Sequence, residues 1–416
     1  MEMSVRSPLA QSSNGSGAPD LEVAVIGAGP HGLAATAHLR RAGVQAQLFG
    51  RPLAFWKSMP EGMVLRSNLR ASHLIEPTGP LSVAAFAAAS GVRLEQPVLL
   101  ENFIAYGTWV QQMAVPDVDE RTVQSLDRDQ RAFTLQLQDG ERVRARRVVL
   151  ACGIEPFQSM PPGYDHLPAD RVSHAGRYRD MSIFAGRRVA LVGGGQSSFT
   201  CAALMRAHGA AEVEVLVRDD AVIWLRGHSV TKRLGRLGPI LYAPTDVGPL
   251  WYSRLVATPA LFRRLPRVTQ DRIAYRSIRP ACSHVVRMQL GDMRISTGVE
   301  VLGADLDGDL LQVSLSDGST REVDHLMFGT GYAVDIARYA FLSEGILGEL
   351  RRREGYPILR RGLESSVGGL HVLGAPAAWS FGPIMRFISG SWYGGRAIAR
   401  TIASGSPARL GGGVRP

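Results

Sequence analysis

The sequence predicts an α/β chain built on two copies of one βαβ unit, the second set inside a first domain that closes only near the chain's end. Three observations predict this. The order apolar strand, glycine turn, helix, strand occurs twice, in "LEVAVIGAGPHGLAATAHLRRAGVQAQLFG" and "RRVALVGGGQSSFTCAALMRAHGAAEVEVLVR". Each copy is followed, much later, by short alternating strands across Asp-Gly turns and a closing apolar strand, "VVLACG" or "HLMFGTGY". After the second closure comes "GLHVLGAPAAWSFGPIMRFISGSWYGGRAIARTIA", a strand, a Gly/Pro loop and a long amphipathic helix. With the second unit complete, this segment is left to finish the first.

The first unit opens on a buried strand and a loop with Gly27, Gly29 and Gly32. Without side chains there, backbone N–H groups and the helix N-terminus can approach a pyrophosphate. Pro30 stands in the first helical turn, where a missing N–H costs nothing. His31 follows it, either beside the bound ligand or, as a lone His at a helix start, facing solvent or satisfied locally. Roughly 20 residues beyond such a loop an Asp or Glu usually meets the ribose hydroxyls; here Gly50 and Arg51 stand in its place. The first closure, "RTVQSLDRDQRAFTLQLQDGERVRARRVVLACG", reads as three short strands and then a separate buried strand ending at Ala151, Cys152 and Gly153.

The second unit has Gly193 and Gly195, with Ser198 at the third glycine position, where small size suffices for helix–strand packing. Gln196 and Ser197 are placed to donate to a nicotinamide dinucleotide. Its second strand ends in Arg218, which suits a 2′-phosphate or caps the strand end. Two such units with matching closures read as two Rossmann-like dinucleotide-binding domains. The stretch "WLRGHSVTKRLGRLGPILYAPTDVGPLWYSRLVATPALFRRLP" interrupts the second unit with no clear periodicity, as a substrate cover or a packing excursion. The expected organisation is a disordered leader over 1–20, a first domain over 21–160 and 331–405, a second over 161–330 with an irregular insert at 225–290, and a flexible tail over 406–416.

Composition narrows the function classes. A chain of 416 residues suffices for two or three cores. No apolar run approaches the ~18 residues of a membrane span, and no signal-peptide pattern opens the chain, so cytoplasm is the expected compartment. Cys152, Cys201 and Cys282 lie far apart, which argues against a disulfide framework, a zinc site and a dithiol reductase. The net charge of +10 raises nucleic acid or an acidic partner. The basic residues, all Arg but for Lys57 and Lys232, read as scattered, so no nucleic-acid partner is expected. There is no GxSxG elbow, Walker loop, HExxH or metal-ligand cluster, which leaves hydrolase and metalloenzyme readings without support.

The motifs "GAGPHG", "LACG…P", "GGGQSS", "GTGY" and "GAPAAWSFGP" resemble those of the class B flavin-dependent monooxygenases. That group holds N-hydroxylating, Baeyer–Villiger and flavin-containing monooxygenases, and the resemblance runs from about Val23 to Ala403. It implies FAD at the first loop and NADPH at the second, with the NADPH domain inserted in the FAD domain. FAD would then meet Gly27, Gly29, Pro30, His31, Gly32, Gly50, Arg51, Trp56, Val123, Ala151, Gly153, Gly374, Phe381, Gly382 and Pro383. NADPH would meet Gly193, Gly195, Gln196, Ser197, Ser198, Arg218 and the closing Gly329, Thr330, Gly331 and Tyr332.

By the same resemblance Asn68, in "MVLRSNLRASH", would hydrogen-bond the flavin peroxide and NADP, its alternative being a turn residue; the alternative for Trp56 is core packing. The implied reaction inserts one atom of O2 into a small molecule, with N- or C-hydroxylation ahead of Baeyer–Villiger chemistry. The Baeyer–Villiger fingerprint Phe-x-Gly-x-x-x-His-x-x-x-Trp is met here only by His174, with Pro168, Asp170 and Tyr178 at its other positions. Some relatives with "FGRP" after the second strand carry a urate-hydroxylase label. A flavin reductase and a non-catalytic flavin-binding module are the rival readings. Arg51 also leaves open the reverse assignment, with NADPH at the first loop.

Overall fold

The computed structural model describes residues 19–65, 67–92, 95–225, 242–245, 247–249 and 251–405. The leader over 1–20, save its last two residues, and the tail over 406–416 lie outside the described residues.

The first unit is strand β1 (Leu21–Ile26), helix α1 (Pro30–Arg41) and strand β2 (Ala46–Phe49). The four residues Val23–Ile26 of β1 and the inner face of α1 are buried, as the unbroken "VAVI" run requires. The closure is three strands rather than four: β3 (Val123–Arg128), β4 (Phe133–Leu137) and one long β5 (Arg142–Leu150). The third hairpin strand and the buried strand, read as separate, are continuous because no turn residue divides Arg146 and Arg147 from Val148. The lower half of β5 pairs antiparallel with β4, and the upper half pairs parallel with β1.

A short strand β6 (Val172–His174) leads into the second unit, β7 (Arg188–Val192), α2 (Gln196–Ala207) and β8 (Glu212–Val217). The insert is not irregular where it is described. It carries α3 (Ser253–Val256), α4 (Pro259–Phe262), α5 (Arg267–Ile278) and α6 (His284–Leu290). The four-residue helices are too short to print a period on the sequence, and the twelve-residue α5 buries only Gln270 and Ile273, too few for an apolar stripe. Val256, Phe262 and Ile273 of the insert join the core of the first domain, whereas Cys282, Val286 and Leu290 join that of the second.

Strand β9 (Arg294–Thr297) then completes one edge of the second sheet. The second closure is a separate antiparallel sheet, β10 (Val301–Asp307), β11 (Leu310–Leu315) and β12 (Thr320–Val323), followed by β13 (His325–Phe328). Here the break that the first closure lacks does exist, at Asp324, whose carboxylate accepts from the Arg188 N–H at 2.8 Å. The second sheet runs β9-β8-β7-β13-β6, all parallel.

Strand β14 (Leu370–Val372) returns to the first sheet and pairs with the upper half of β5, the half that β4 leaves free. Helix α7 (Gly390–Ala403) follows and packs on α1. The two backbones approach so closely that a Cβ on Gly395 would stand 2.9 Å from the Ala34 carbonyl oxygen. The second dinucleotide-type domain is thus inserted within a discontinuous first one.

Candidate flavin and nicotinamide nucleotide sites

Each glycine loop divides its positions between folding and ligand access. At Gly27, with φ 105°, a Cβ would stand 2.4 Å from the Ala151 carbonyl oxygen, and at Gly32 one would stand 1.9 Å from that of Gly27. Both glycines are therefore needed for the loop to close. Gly29 has an ordinary φ of −82°, and a Cβ there would meet nothing within 4 Å. Its bareness leaves open space at the N-terminus of α1 beside Pro30, as a phosphate cradle requires.

The second loop repeats the division. A Cβ on Gly193 would stand 2.5 Å from the Gly329 carbonyl oxygen, while one on Gly195 would meet nothing within 4 Å. Ser198, at the third position, donates from Oγ to the Gly329 carbonyl at 3.1 Å and so ties α2 to the end of β13. Gln196 is turned to the fold: its Oε1 accepts from the Ser283 N–H at 2.9 Å and its Nε2 donates to Thr200 Oγ1 at 3.3 Å. Ser197 is exposed at the helix start. Arg218 is exposed at the end of β8, with its Nε 3.7 Å from the Glu300 carboxylate.

At the end of β2, Gly50 has φ 114° and donates its N–H to the Asp119 carbonyl at 2.7 Å. That backbone conformation favours glycine, so an acid at this position would carry strain of about 1–2 kcal/mol. The missing carboxylate follows from the shape of the strand end. Arg51 is exposed. Val123 is spent in the β3–β4 pairing opposite Leu137. Trp56 is half-buried with its ring 4.5 Å from that of Phe103. Asn68 caps a short 3-10 turn, its Oδ1 accepting from the Ala71 N–H at 2.9 Å.

His31 is not solvent-facing. Burial pulls its pKa down to about 4, the main chain of Phe387 supports the ring, and Nδ1 is buried with no partner. The returning segment does the burying, which local sequence at a helix start cannot foretell. Gly374, with φ 76°, faces the ring: a Cβ there would stand 3.8 Å from its Cδ2, in ordinary contact. Phe381 and Pro383 are buried, and Gly382 (φ 93°) is glycine because the Phe262 ring of the insert lies 2.7 Å from where a Cβ would be. A buried, unpartnered ring nitrogen and a bare Gly29 on neighbouring residues fit a polar ligand lying along the first loop.

The two closures meet at one junction. His174 receives the Gly176 N–H on Nδ1 (3.1 Å) and donates from Nε2 to the Gly331 carbonyl (3.0 Å), a neutral tautomer in keeping with a pKa lowered by burial. It thereby pins the Gly-Thr-Gly-Tyr turn, where Gly331 has φ 81° and Thr330 Oγ1 donates to the Ser159 carbonyl. The Tyr332 ring lies 5.3 Å from His174 and 6.3 Å from Phe55, and burial pushes its hydroxyl up to about 12. On the other side of the junction Ala151 donates its N–H to the Ile26 carbonyl, and the Gly153 carbonyl accepts from Tyr339 Oη at 2.7 Å.

Arg386 had no place in the sequence reading, yet it spans this junction. Its Nη2 donates to the Tyr332 carbonyl at 3.4 Å and its Nη1 to Tyr356 Oη at 3.3 Å. The available signal was a lone charge in the otherwise apolar "SFGPIMRF". No disulfide joins Cys152, Cys201 and Cys282, and burial pushes the thiols of Cys152 and Cys201 up to about 12. That is the wrong direction for a reactive dithiol.

The family model described as pyridine nucleotide-disulphide oxidoreductase matches residues 21–237. The chain belongs to that family of oxidoreductases. Ferredoxin–NADP reductase of Granulibacter bethesdensis is 33% identical over 190 residues, 45% of this chain and 48% of that protein. FAD-dependent urate hydroxylase of Xanthomonas campestris is 28% identical over 204 residues, 48% of this chain and 39% of that protein. The chain thus spans about half the length, or less, of these curated relatives.

Among solved structures, ornithine N-hydroxylase of Kutzneria sp. 744 is similar with a TM-score of 0.75 at 16% identity, over 93% of this chain and 99% of that one. L-lysine 6-monooxygenase of Pseudomonas syringae is similar at 0.70 and 18% identity, over 93% of this chain and 100% of that one. These are likenesses of fold, and the fold is that of the two-domain N-hydroxylating flavin monooxygenases.

Proposed function

We propose that the chain is an FAD-dependent, NADPH-using monooxygenase that hydroxylates a small molecule. The observation that carries the reading is the pair of loops, each bare of neighbours only at its middle glycine, Gly29 and Gly195, in two domains that touch at Tyr332 and Arg386. Gly29, the start of α1 and His31 Nδ1 would hold FAD, with the 374–387 segment against its ring. Gly195 and Ser197 would hold NADPH, with Arg218 on its 2′-phosphate. Arg218 has to leave Glu300 for that, and Gln196 acts by positioning α2 against Ser283. The bound flavin would supply two-electron and O2 chemistry. This chain's own work is to orient the two nucleotides, to keep water from their junction, and to hold His31 and His174 neutral there.

In the overall reaction, substrate, O2, NADPH and a proton give hydroxylated substrate, water and NADP+. Asn68 fits this scheme as the cap that fixes the 3-10 turn beside Ser67, in a place the family resemblance assigns to the flavin edge. A second reading, a reductase passing electrons from NADPH to a protein acceptor, is favoured by the relatives named ferredoxin–NADP reductase. With three cysteines far apart in sequence and no disulfide between them, the chain's membership of a family named for disulphide chemistry does not favour a dithiol acceptor under either reading.

The experiment is to supply NADPH and isotopically labelled O2 with ornithine, lysine, cadaverine or urate. NADPH, O2 and hydrogen peroxide are then balanced. One labelled oxygen in product with little hydrogen peroxide supports the monooxygenase. Stoichiometric hydrogen peroxide with every compound, together with anaerobic reduction of ferredoxin, replaces it with the reductase.

A further inference from the structure

The charge of the chain is not scattered once it is summed by segment. Residues 225–290 hold twelve of the 47 basic and two of the 37 acidic side chains, Asp246 and Asp271. That stretch alone carries the whole +10, and the remainder, with 35 of each, is neutral. No expected ligand of the two nucleotide loops calls for this, and the insert also exposes large apolar side chains. Trp251 is 83%, Val268 72% and Tyr275 69% exposed.

Helix α5 organises the patch. Its inner face buries Gln270 and Ile273. Its outer face presents Val268, Arg272 and Tyr275 at four- and three-residue steps, one stripe of a helix, and exposed Arg279 follows directly at its end. Among the described residues no carboxylate lies within 4 Å of Arg272, Arg276 or Arg279. At the inner edge the guanidinium of Arg267 lies 3.3 Å over the Trp379 ring and that of Arg263 4.5 Å over Phe381. The insert is thus fastened to the 374–387 segment, and its outer face stays open one helix away from it.

We propose that this outer face docks an acidic protein partner. Arginine beside exposed aromatic and aliphatic side chains is the composition of an interface whose partner supplies carboxylates. A second copy is disfavoured, because a two-fold contact would set insert against insert, +10 against +10, and the rest of the chain offers no net negative charge. A bilayer-lying element is normally one long amphipathic helix, whereas these apolar groups sit on a loop and on helices as short as four residues. Nucleic acid would use the aromatics for stacking but leaves Val268 and Leu261 unmatched. The inference stands apart from the reaction proposed above and does not need it.

The test uses the flavin-loaded full chain and three probes: a synthetic peptide of about fifteen residues alternating Glu with Leu and Phe, phosphatidylglycerol vesicles, and a single-stranded oligonucleotide. Binding is measured by anisotropy or co-sedimentation at low and high salt. The proposal expects the peptide to bind, to weaken with salt, and to lose at least about tenfold in affinity in R272E/R276E. V268S/Y275S should lose affinity that salt does not restore, and both variants should keep the wild-type flavin content and thermal midpoint. Charge reversal without effect on the peptide overturns the proposal. So does tighter binding of vesicles or oligonucleotide than of peptide, or apolar substitutions that leave peptide affinity unchanged.

Discussion

Which loop holds which nucleotide turns on a single added methyl group. Gly29 has φ −82° and ψ −174°, a conformation open to any residue, and a Cβ there meets no protein atom within 4 Å. Gly29→Ala is therefore expected to leave the ligand-free fold unharmed, or to stabilise it by about 0.4–1 kcal/mol by restricting the unfolded chain. The methyl then occupies the space that a pyrophosphate needs. Overpacking of this kind costs about 1–3 kcal/mol, or roughly 5- to 150-fold in affinity. Gly32→Ala is the contrasting variant, because its Cβ would stand 1.9 Å from the Gly27 carbonyl oxygen and must break the loop in the free protein as well. Gly195→Ala repeats the first experiment at the second loop, where the methyl again meets nothing within 4 Å.

Flavin content after purification, FAD affinity by fluorescence quenching, NADPH affinity by titration and thermal midpoints of the apoproteins together decide the matter. The expected result is that Gly29→Ala loses FAD with an unchanged apoprotein midpoint, while Gly195→Ala keeps FAD and loses NADPH. Gly29→Ala with full FAD affinity would refute the cradle assigned to that loop. Loss of NADPH with flavin retained in Gly29→Ala would mean that the two sites are reversed. These variants are a cleaner test than an acid at position 50, since Gly50 has φ 114° and any side chain there adds strain of its own.

The other expectations are briefer. Arg218→Ala should weaken NADPH several-fold more than NADH, and Glu300→Gln, which removes the carboxylate 3.7 Å from that guanidinium, should tighten NADPH; equal effects on both coenzymes in a titration would return Arg218 to a strand-end role. Asn68→Ala should raise hydrogen peroxide release per NADPH and lower the thermal midpoint, because a lost cap costs about 0.5–2 kcal/mol. Asn68→Asp keeps the capping oxygen, so peroxide release at the wild-type level in that variant would leave Asn68 as a cap alone. His31, His73 and His325 are each pulled by burial to about 4, below the 6.5 of an unfolded histidine. The unfolded chain therefore binds more protons between those values, and stability should fall as pH drops from 6.5 towards 4. Urea midpoints over that range measure the slope, which His325→Gln should flatten; an unchanged slope would clear His325 of the effect.

Much of the fold was legible because the residues that announce it act locally. Gly27 and Gly32 are required by contacts of a few residues' reach or by the neighbouring strand, and the apolar runs of β1, β7 and β13 are buried on both faces whatever surrounds them. The misreadings fall where one element answers to two neighbours. Strand β5 alternates along the half that pairs with β4 and then turns uniformly apolar between β1 and β14, a change of period without a turn. The insert divides its apolar residues between two cores, so no single stripe runs along it.

The site was legible to the extent that glycine carries it and illegible where distant chain segments set a side chain's surroundings. The His31 ring is held by the main chain of Phe387, and Gln196 is turned away by Ser283, far along the chain in both cases. His174 has the same logic in reverse. In sequence it is the one matching residue of an oxygenation fingerprint, but its two ring nitrogens are spent on Gly176 and Gly331, so here it holds the closing turn in register. That turn presents the Tyr332 carbonyl to Arg386, and Arg386 stands one residue from the main chain that supports His31. The chain of contacts from the second domain's closure to the first domain's glycine loop therefore passes through a neutral histidine, a backbone carbonyl and a guanidinium. That path ends at His31, whose Nδ1 is buried and, among the described residues, without a partner.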